Sequence, residues 1–154
     1  MTRDIALLLA TLGSVALLGG ALAFQYLGGL APCEMCIWQR WPHGVAIAAG
    51  VLALGGARGR FLPLAGGLAA LTTAGIGLYH TGVERGWWEG PDSCTGGGDL
   101  NTLSTDQLMS RIMDAPVVLC DVVPWELFGL SMASYNAILS LILAGFWTVA
   151  WKKS

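Results

Sequence analysis

The sequence predicts an all-α membrane protein: a four-transmembrane-helix bundle with two loops on one side. Three observations carry that expectation. Hydrophobic residues make up 55% of the 154-residue chain and charged residues 12%, against about one quarter charged in soluble chains. Four apolar stretches, residues 5–30, 41–57, 61–83 and 128–151, have the length of bilayer spans, about 20 residues each. The basic residues also segregate. Arg3, Arg58, Arg60, Lys152 and Lys153 fall on one side of these spans; Arg40, Arg85 and Arg111 fall on the other. The positive-inside rule makes the richer side, with both termini, cytoplasmic.

Four spans leave no chain for a soluble domain, so residues 1–154 read as a single integral-membrane domain. The net charge is −2. No basic run or nucleic-acid motif is present, which excludes a nucleic-acid partner.

Ala21-Leu22-Ala23 resembles a signal-peptidase site. The apolar run nevertheless continues through Phe24, Tyr26, Leu27 and Leu30, longer than a signal core, and reads as an uncleaved helix. Next comes Pro32-Cys33-Glu34-Met35-Cys36-Ile37-Trp38-Gln39-Arg40. Two thiols at this spacing can close a small, reducible ring. Attack on a disulfide needs a thiolate, which nearby positive charge favours. On a helix Arg40 lies one turn beyond Cys36, and the helix start adds its own positive end. Pro42 removes a backbone donor and disfavours helix at Trp41. The second span is therefore expected to start around the cysteines rather than at Trp41, as a short helical turn carrying Cys36 and Arg40, kinked at Pro42, and then a span to Ala57. Trp38 and Trp41 suit the headgroup level.

Gly55 to Arg60 is a basic turn. The third span is rich in small residues, among them Gly66, Gly67, Gly75 and Gly77, and the first carries Gly13, Gly19 and Gly20. Small residues let helices approach closely in lipid. The long loop, residues 84–127, carries Cys94 beside Gly96-Gly97-Gly98, which predicts a mobile, exposed arm. Ser104-Thr105-Asp106-Gln107 has the form of a capping box. It precedes a short amphipathic helix with Leu108, Met109, Ile112 and Met113 on one face, ended by Pro116.

All four cysteines fall on the side opposite the five basic residues, in a bacterium the periplasm, where disulfides persist. A Cys94–Cys120 bridge would be either a static staple, worth about 3 kcal/mol, or an exchanging pair. The residues leave both open. Four outward cysteines can also serve a non-enzymatic metal or redox sensor, although neither His43 nor His80 has metal-ligand spacing to Cys94 and Cys120. Proline directly before Cys33 argues against a lipoprotein signal.

Over nearly its whole length the chain resembles the disulfide bond formation protein B (DsbB) family. The resemblance rests on the motif from Pro32 to Arg40, on Tyr79-His80-Thr81-Gly82-Val83-Glu84 through Gly90-Pro91 and Cys94, and on Trp125 with Phe128-Gly129-Leu130-Ser131-Met132. It implies a bacterial inner-membrane thiol:quinone oxidoreductase. Such an enzyme reoxidises a periplasmic thioredoxin-fold, DsbA-like dithiol oxidase and reduces ubiquinone or menaquinone. By the same resemblance Cys33 and Cys36 give electrons to the quinone, with Cys36 the thiolate against its ring. Arg40 holds that charge and polarises a quinone carbonyl. Cys94 is attacked by the partner, Cys120 is its resolving cysteine, and His80 lies near the quinone. A vitamin K epoxide reductase-like quinone reductase shares the four-helix logic but places its Cys-x-x-Cys after the separated pair, the reverse of the order here.

Overall fold

The computed structural model describes residues 1–57, 59–91, 94, 104–106, 109 and 118–154. Four long helices dominate: α1 (Arg3–Tyr26), α2 (Glu34–Leu54), α3 (Phe61–Glu84) and α4 (Met132–Lys152). Helices α1 and α3 each pack against both α2 and α4, which closes the four into a bundle.

The packing inverts the size pattern of a soluble core. Its largest buried cluster is built mainly of alanines (Ala6, Ala10, Ala46, Ala49, Ala69, Ala70 and Ala144) around Leu7 and Trp147. Large apolar side chains such as Leu12, Val51, Leu68 and Ile142 point outward. Lipid tails are as apolar as leucine, so close contact between small residues holds such helices together. At Gly66 an added Cβ would lie 2.6 Å from the Trp147 ring, and at Gly50 1.9 Å from Thr11 Oγ1. Gly19, Gly20 and Gly75 meet nothing within 4 Å, so close packing does not explain them as expected; Gly20 instead lines a cavity.

Helices α1, α3 and α4 are long and apolar enough to cross a membrane. Three of the four helices therefore meet the expectation of four. Helix α2 does not, because Gln39, Arg40 and His43 sit in its first half. Helix α2 starts beside the cysteines and runs from Glu34 through Pro42 as one helix. Its start is capped by the Cys33 sulfur, which accepts from the Cys36 N–H at 3.1 Å. Near the proline, Thr73 of α3 donates to the Gln39 carbonyl at 3.0 Å.

Helix α1 stops at Tyr26 instead of reaching Leu30. The Leu27 and Gly28 N–H groups both return to the Ala23 carbonyl, and Gly29 takes a φ of +67°, a common way for a helix to end. The segment expected to open the fourth span at residue 128 is a hairpin. Strands β1 (Glu126–Leu127) and β2 (Leu130–Ser131) pair antiparallel, Glu126 opposite Ser131. Phe128 and Gly129 between them have φ of 51° and 74°, as a two-residue hairpin turn with both central residues left-handed demands. Arg85 donates to the Gly129 carbonyl and the Ser131 hydroxyl to Glu84, tying the hairpin to the end of α3. Ser131 then caps α4 by accepting from the Ser134 N–H.

The two ends of the bundle differ. At one, Arg3 donates to Ser154 Oγ at 3.1 Å and Arg60 stacks 4.5 Å over Trp151. The other holds the cysteines, Arg40 and Arg85. Arg58, Arg111, Gly96–Gly98, Gln107, Leu108, Ile112, Met113 and Pro116, which entered the expectations above, lie outside the described residues.

Gly66→Leu overpacks the contact with Trp147 and should destabilise the bundle by about 1–3 kcal/mol, while Gly75→Leu, facing open space, should change little. Unfolding midpoints of the detergent-purified variants check this.

Candidate functional site

Cys33 and Cys36 sit at the first turn of α2 as free thiols, Cys33 buried and Cys36 half-buried. Cys94 and Cys120 form a disulfide with a Cα–Cα distance of 5.3 Å. The Cys120 N–H also donates to the Cys94 carbonyl at 2.9 Å. Both half-cystines are buried, Cys94 at 2% exposure and Cys120 at 0%. The exposed arm expected for Cys94 is thus corrected. The disulfide packs over the start of α2, in one cluster with Cys33, Met35 and Val83, and Cys36 touches its edge. A reduced pair and an oxidised pair share one desolvated patch, which is the arrangement that exchange between them requires.

The disulfide also removes two sulfurs from any four-cysteine metal site. A smaller donor set remains: the Cys33 and Cys36 sulfurs and a ring nitrogen of His80 lie within 4.8 Å of one another.

His80 joins the cysteines to the bundle. Its Nε2 is 3.6 Å from Cys33 Sγ and 3.9 Å from Glu84, its Nδ1 is 3.0 Å from Gln39 Nε2, and the Cys120 backbone lies within hydrogen-bonding reach. Gln39 Nε2 also donates to the Met35 carbonyl at 3.2 Å. That carbonyl can only accept, so the Gln39 atom beside it is the NH2 group, and His80 Nδ1 must accept from it. The His80 hydrogen therefore sits on Nε2, the nitrogen that faces the Cys33 sulfur and Glu84. The Cys36 thiol hydrogen-bonded to it, and then burial, push the Cys33 thiol above its ordinary range; the bond from the Cys36 backbone N–H acts the other way.

Beside this cluster lies a cavity of about 320 Å³, within the usual range for small-ligand sites. Its apolar wall includes Leu17, Phe24, Pro32 and Leu139; Trp125 stands between Phe24 and Tyr135, with ring centroids 5.2 and 6.3 Å away. The polar groups on it are Cys36, Gln39, Arg40, His43, His80, Glu84 and Asn136. Arg40 Nη1 donates to Gln25 Oε1 at 2.6 Å, while its buried Nε has no partner among the described residues. Cys36 and Arg40 thus face one cavity, as their spacing predicts, and His80 reaches it from α3.

Gln39, His43, Glu84 and Asn136 were not anticipated as site residues. Three carried a signal. Gln39 and His43 follow Cys36 by three and seven residues, on one helical face, and Glu84 follows His80 by four. Asn136 carried none, since only the packing of α4 against α2 and α3 brings it in.

The family described as "Disulfide bond formation protein DsbB" matches this chain over residues 3–150. The chain belongs to the DsbB family. It is 36% identical over 149 residues to a disulfide bond formation protein B of Verminephrobacter eiseniae, covering 89% of this chain and 81% of the relative. A protein of the same name from an Acidovorax species is 30% identical over 146 residues, covering 90% of this chain and 81% of that one. A Shewanella relative, also so named, is 30% identical over 135 residues, with 85% and 77% covered. No solved structure matches. Membership of the DsbB family makes the chain a membrane protein of disulfide bond formation and an oxidoreductase. It also decides against the vitamin K epoxide reductase-like alternative.

In the reduced state of the Cys33–Cys36 pair, Cys36 is the more exposed sulfur and Cys33 the one whose deprotonation is opposed. Iodoacetamide should therefore modify Cys36 about tenfold faster than Cys33. Timed alkylation with peptide mapping measures the ratio.

Proposed function

We propose that this protein is a thiol:quinone oxidoreductase of a bacterial inner membrane, with α2 as a fourth span and all four cysteines on the periplasmic side. Its donor is a soluble thioredoxin-fold dithiol oxidase and its acceptor ubiquinone or menaquinone. The observation that carries the proposal is the juxtaposition of the Cys33–Cys36 and Cys94–Cys120 pairs in one buried cluster, beside an apolar cavity onto which Cys36 and Arg40 open. The outward positions of α2 are apolar, Val45, Val51, Leu52 and Leu54, while its polar residues line the cavity. That supports a span whose polar face is buried in protein. Arg3, Arg60, Lys152 and Lys153 gather at the end away from the cysteines, which supports the orientation.

The cavity fits a quinone. It is walled by apolar and aromatic groups, and Arg40, whose buried Nε has no partner among the described residues, brings a guanidinium donor to its lining. Cys36, Arg40 and His80 would hold the group, which supplies an acceptor for two electrons and two protons.

The cysteines carry the rest. A thiolate of the reduced partner attacks Cys94 Sγ, breaks the Cys94–Cys120 bond and leaves Cys120 as the thiolate. The partner's second thiol then displaces Cys94, so the partner leaves oxidised with Cys94 and Cys120 reduced. With the Cys33–Cys36 pair oxidised, Cys120 attacks Cys33 and releases Cys36 as the thiolate. Cys94 attacks Cys120 in turn, which restores the Cys94–Cys120 bond and releases Cys33. His80 Nε2–H, which faces Cys33 and Glu84, stabilises negative charge on Cys33 as that bond breaks. The dithiol at Cys33 and Cys36 now holds two electrons, and Arg40 favours the charge on Cys36. Reclosing the Cys33–Cys36 bond delivers the electrons to the acceptor. Burial of Cys94 adds one requirement: its sulfur must become accessible to the partner before attack.

Two measurements test this reading. Arg40→Ala should slow quinone-dependent reoxidation of Cys33–Cys36 by about 100-fold. Arg40→Lys, which keeps the charge without the planar fork, should slow it about tenfold. A wild-type rate in Arg40→Ala would remove Arg40 from the site. In the second, a partner lacking its resolving cysteine is supplied to the outer face of spheroplasts. In Cys120→Ser, Cys94 exchanges with the oxidised Cys33–Cys36 pair to form a Cys94–Cys33 bond. The partner's thiolate breaks that bond at Cys94 and releases Cys33, and a mixed disulfide with the partner at Cys94 should accumulate; Cys94→Ser should form none. An adduct mapped to Cys33 or Cys36 reverses the route, and no adduct from the outside reverses the orientation.

A further inference from the structure

His43 is 3% exposed and lines the cavity with Arg40. Its Nε2 lies 2.9 Å from Asn136 Oδ1 and 3.4 Å from Thr73 Oγ1. Its buried Nδ1 has no partner among the described residues.

Which nitrogen carries the hydrogen follows from a chain of contacts that starts at a backbone carbonyl. Met35 O accepts from Gln39, so Gln39 presents its NH2 group there and its Oε1 elsewhere. Oε1 meets the Asn136 amide at 2.7 Å, and that amide must therefore donate with Nδ2. The other Nδ2 hydrogen goes to Thr73 Oγ1 at 3.0 Å, and Thr73 spends its own hydrogen on the Gln39 carbonyl. Asn136 Oδ1 is thereby turned to His43, where it can only accept. His43 carries its hydrogen on Nε2, and Nδ1 is left as a bare acceptor.

Two residues that line the cavity thus each carry a buried polar atom without a partner among the described residues, and the two are of opposite kind: a donor, Arg40 Nε, and an acceptor, His43 Nδ1. Leaving either unpaired costs free energy that a ligand recovers by pairing it. A ring with two carbonyls pairs the donor only. A ring with two hydroxyls pairs both, one oxygen accepting from Arg40 and the other hydroxyl donating to His43. We propose that His43 is a specificity-determining residue whose Nδ1 accepts the hydrogen bond of a ring hydroxyl, so that the site recognises the reduced, hydroquinone form of its ligand. This inference rests on the quinone reading of the cavity given above. It assigns the hydroxyl end to α2 one turn below Arg40, and it makes Asn136, through Oδ1, the residue that positions the His43 ring.

The test uses the full-length protein in detergent with Cys36→Ser, which blocks electron exchange. The chain has two histidines, so nitrogen-15 labelling of histidine gives two sets of ring signals. Without ligand, His43 should be protonated at Nε2 and bare at Nδ1. A short-chain hydroquinone should shift the Nδ1 signal; its dimethyl ether, which lacks the hydrogens, should not. Binding is measured by quenching of tryptophan fluorescence, Trp125 being part of the wall. His43→Leu should weaken the hydroquinone about five- to tenfold and the dimethyl ether less than about twofold. A His43 ring bare at Nε2, an equal loss for both ligands, or no loss for either would overturn the inference while leaving the cavity a quinone site. Failure of the His43 protein to bind quinone, hydroquinone and ether alike would overturn the functional reading itself, and this inference with it. Should His43→Leu not fold, the ring signals of the His43 protein decide alone.

Discussion

The side-chain amide of Gln39 is the constraint on which the site depends. It sits on α2, bonds its own helix at Met35 and reaches His80 on α3 and Asn136 on α4. One neutral group thereby ties three helices in a region where water is scarce and every donor needs an acceptor. It also determines how both histidines are used. His80 turns its N–H to Cys33 and Glu84, and His43, through Asn136, turns its N–H away from the cavity. An apolar residue at this position would leave two rings and an amide free to reorient. A glutamate would present two acceptors, setting one against the Met35 carbonyl.

The rest of the bundle makes room for that network. Alanine and glycine at the helix contacts bring backbones close on the half carrying Arg3 and Lys152, where Trp147 fills the centre against Gly66. Toward the cysteine end the small residues of α1, Ala16, Gly20 and Ala21, face open space and form part of the cavity wall. A tight half thus supports a roomier one. The bundle can tolerate a cavity at that end because the other half supplies the contacts that hold it shut.

At the cysteine end, connecting segments do what helices alone cannot. The Cys94–Cys120 disulfide lies over the first turn of α2, and the Cys33 sulfur that caps that helix also meets His80. The 126–131 hairpin, anchored by Arg85 and Glu84, places Trp125 on one wall of the cavity. Exchange chemistry and ligand binding consequently share a boundary, and Cys36 stands on it, half-buried between the two.

The sequence by itself determined the helical class, the membrane character and the family. Each of these is written locally, in runs of apolar residues and in the motif from Pro32 to Arg40. The placing of Cys36 and Arg40 on one face was legible for the same reason, since helical spacing is a local rule. Exposure was not. Cys94 beside three glycines reads as an open arm, yet it is buried because it is bonded to Cys120 and laid over Cys33, a contact across 61 residues that no local pattern encodes. Pro42 disfavours helix locally, yet α2 runs from Glu34 through it as one helix. Tertiary structure alone decided the polar site: which glutamine, which asparagine and which nitrogen of each histidine. Hydrogen-bond direction there is settled by groups from three helices at once, and a sequence lists those groups without saying that they meet.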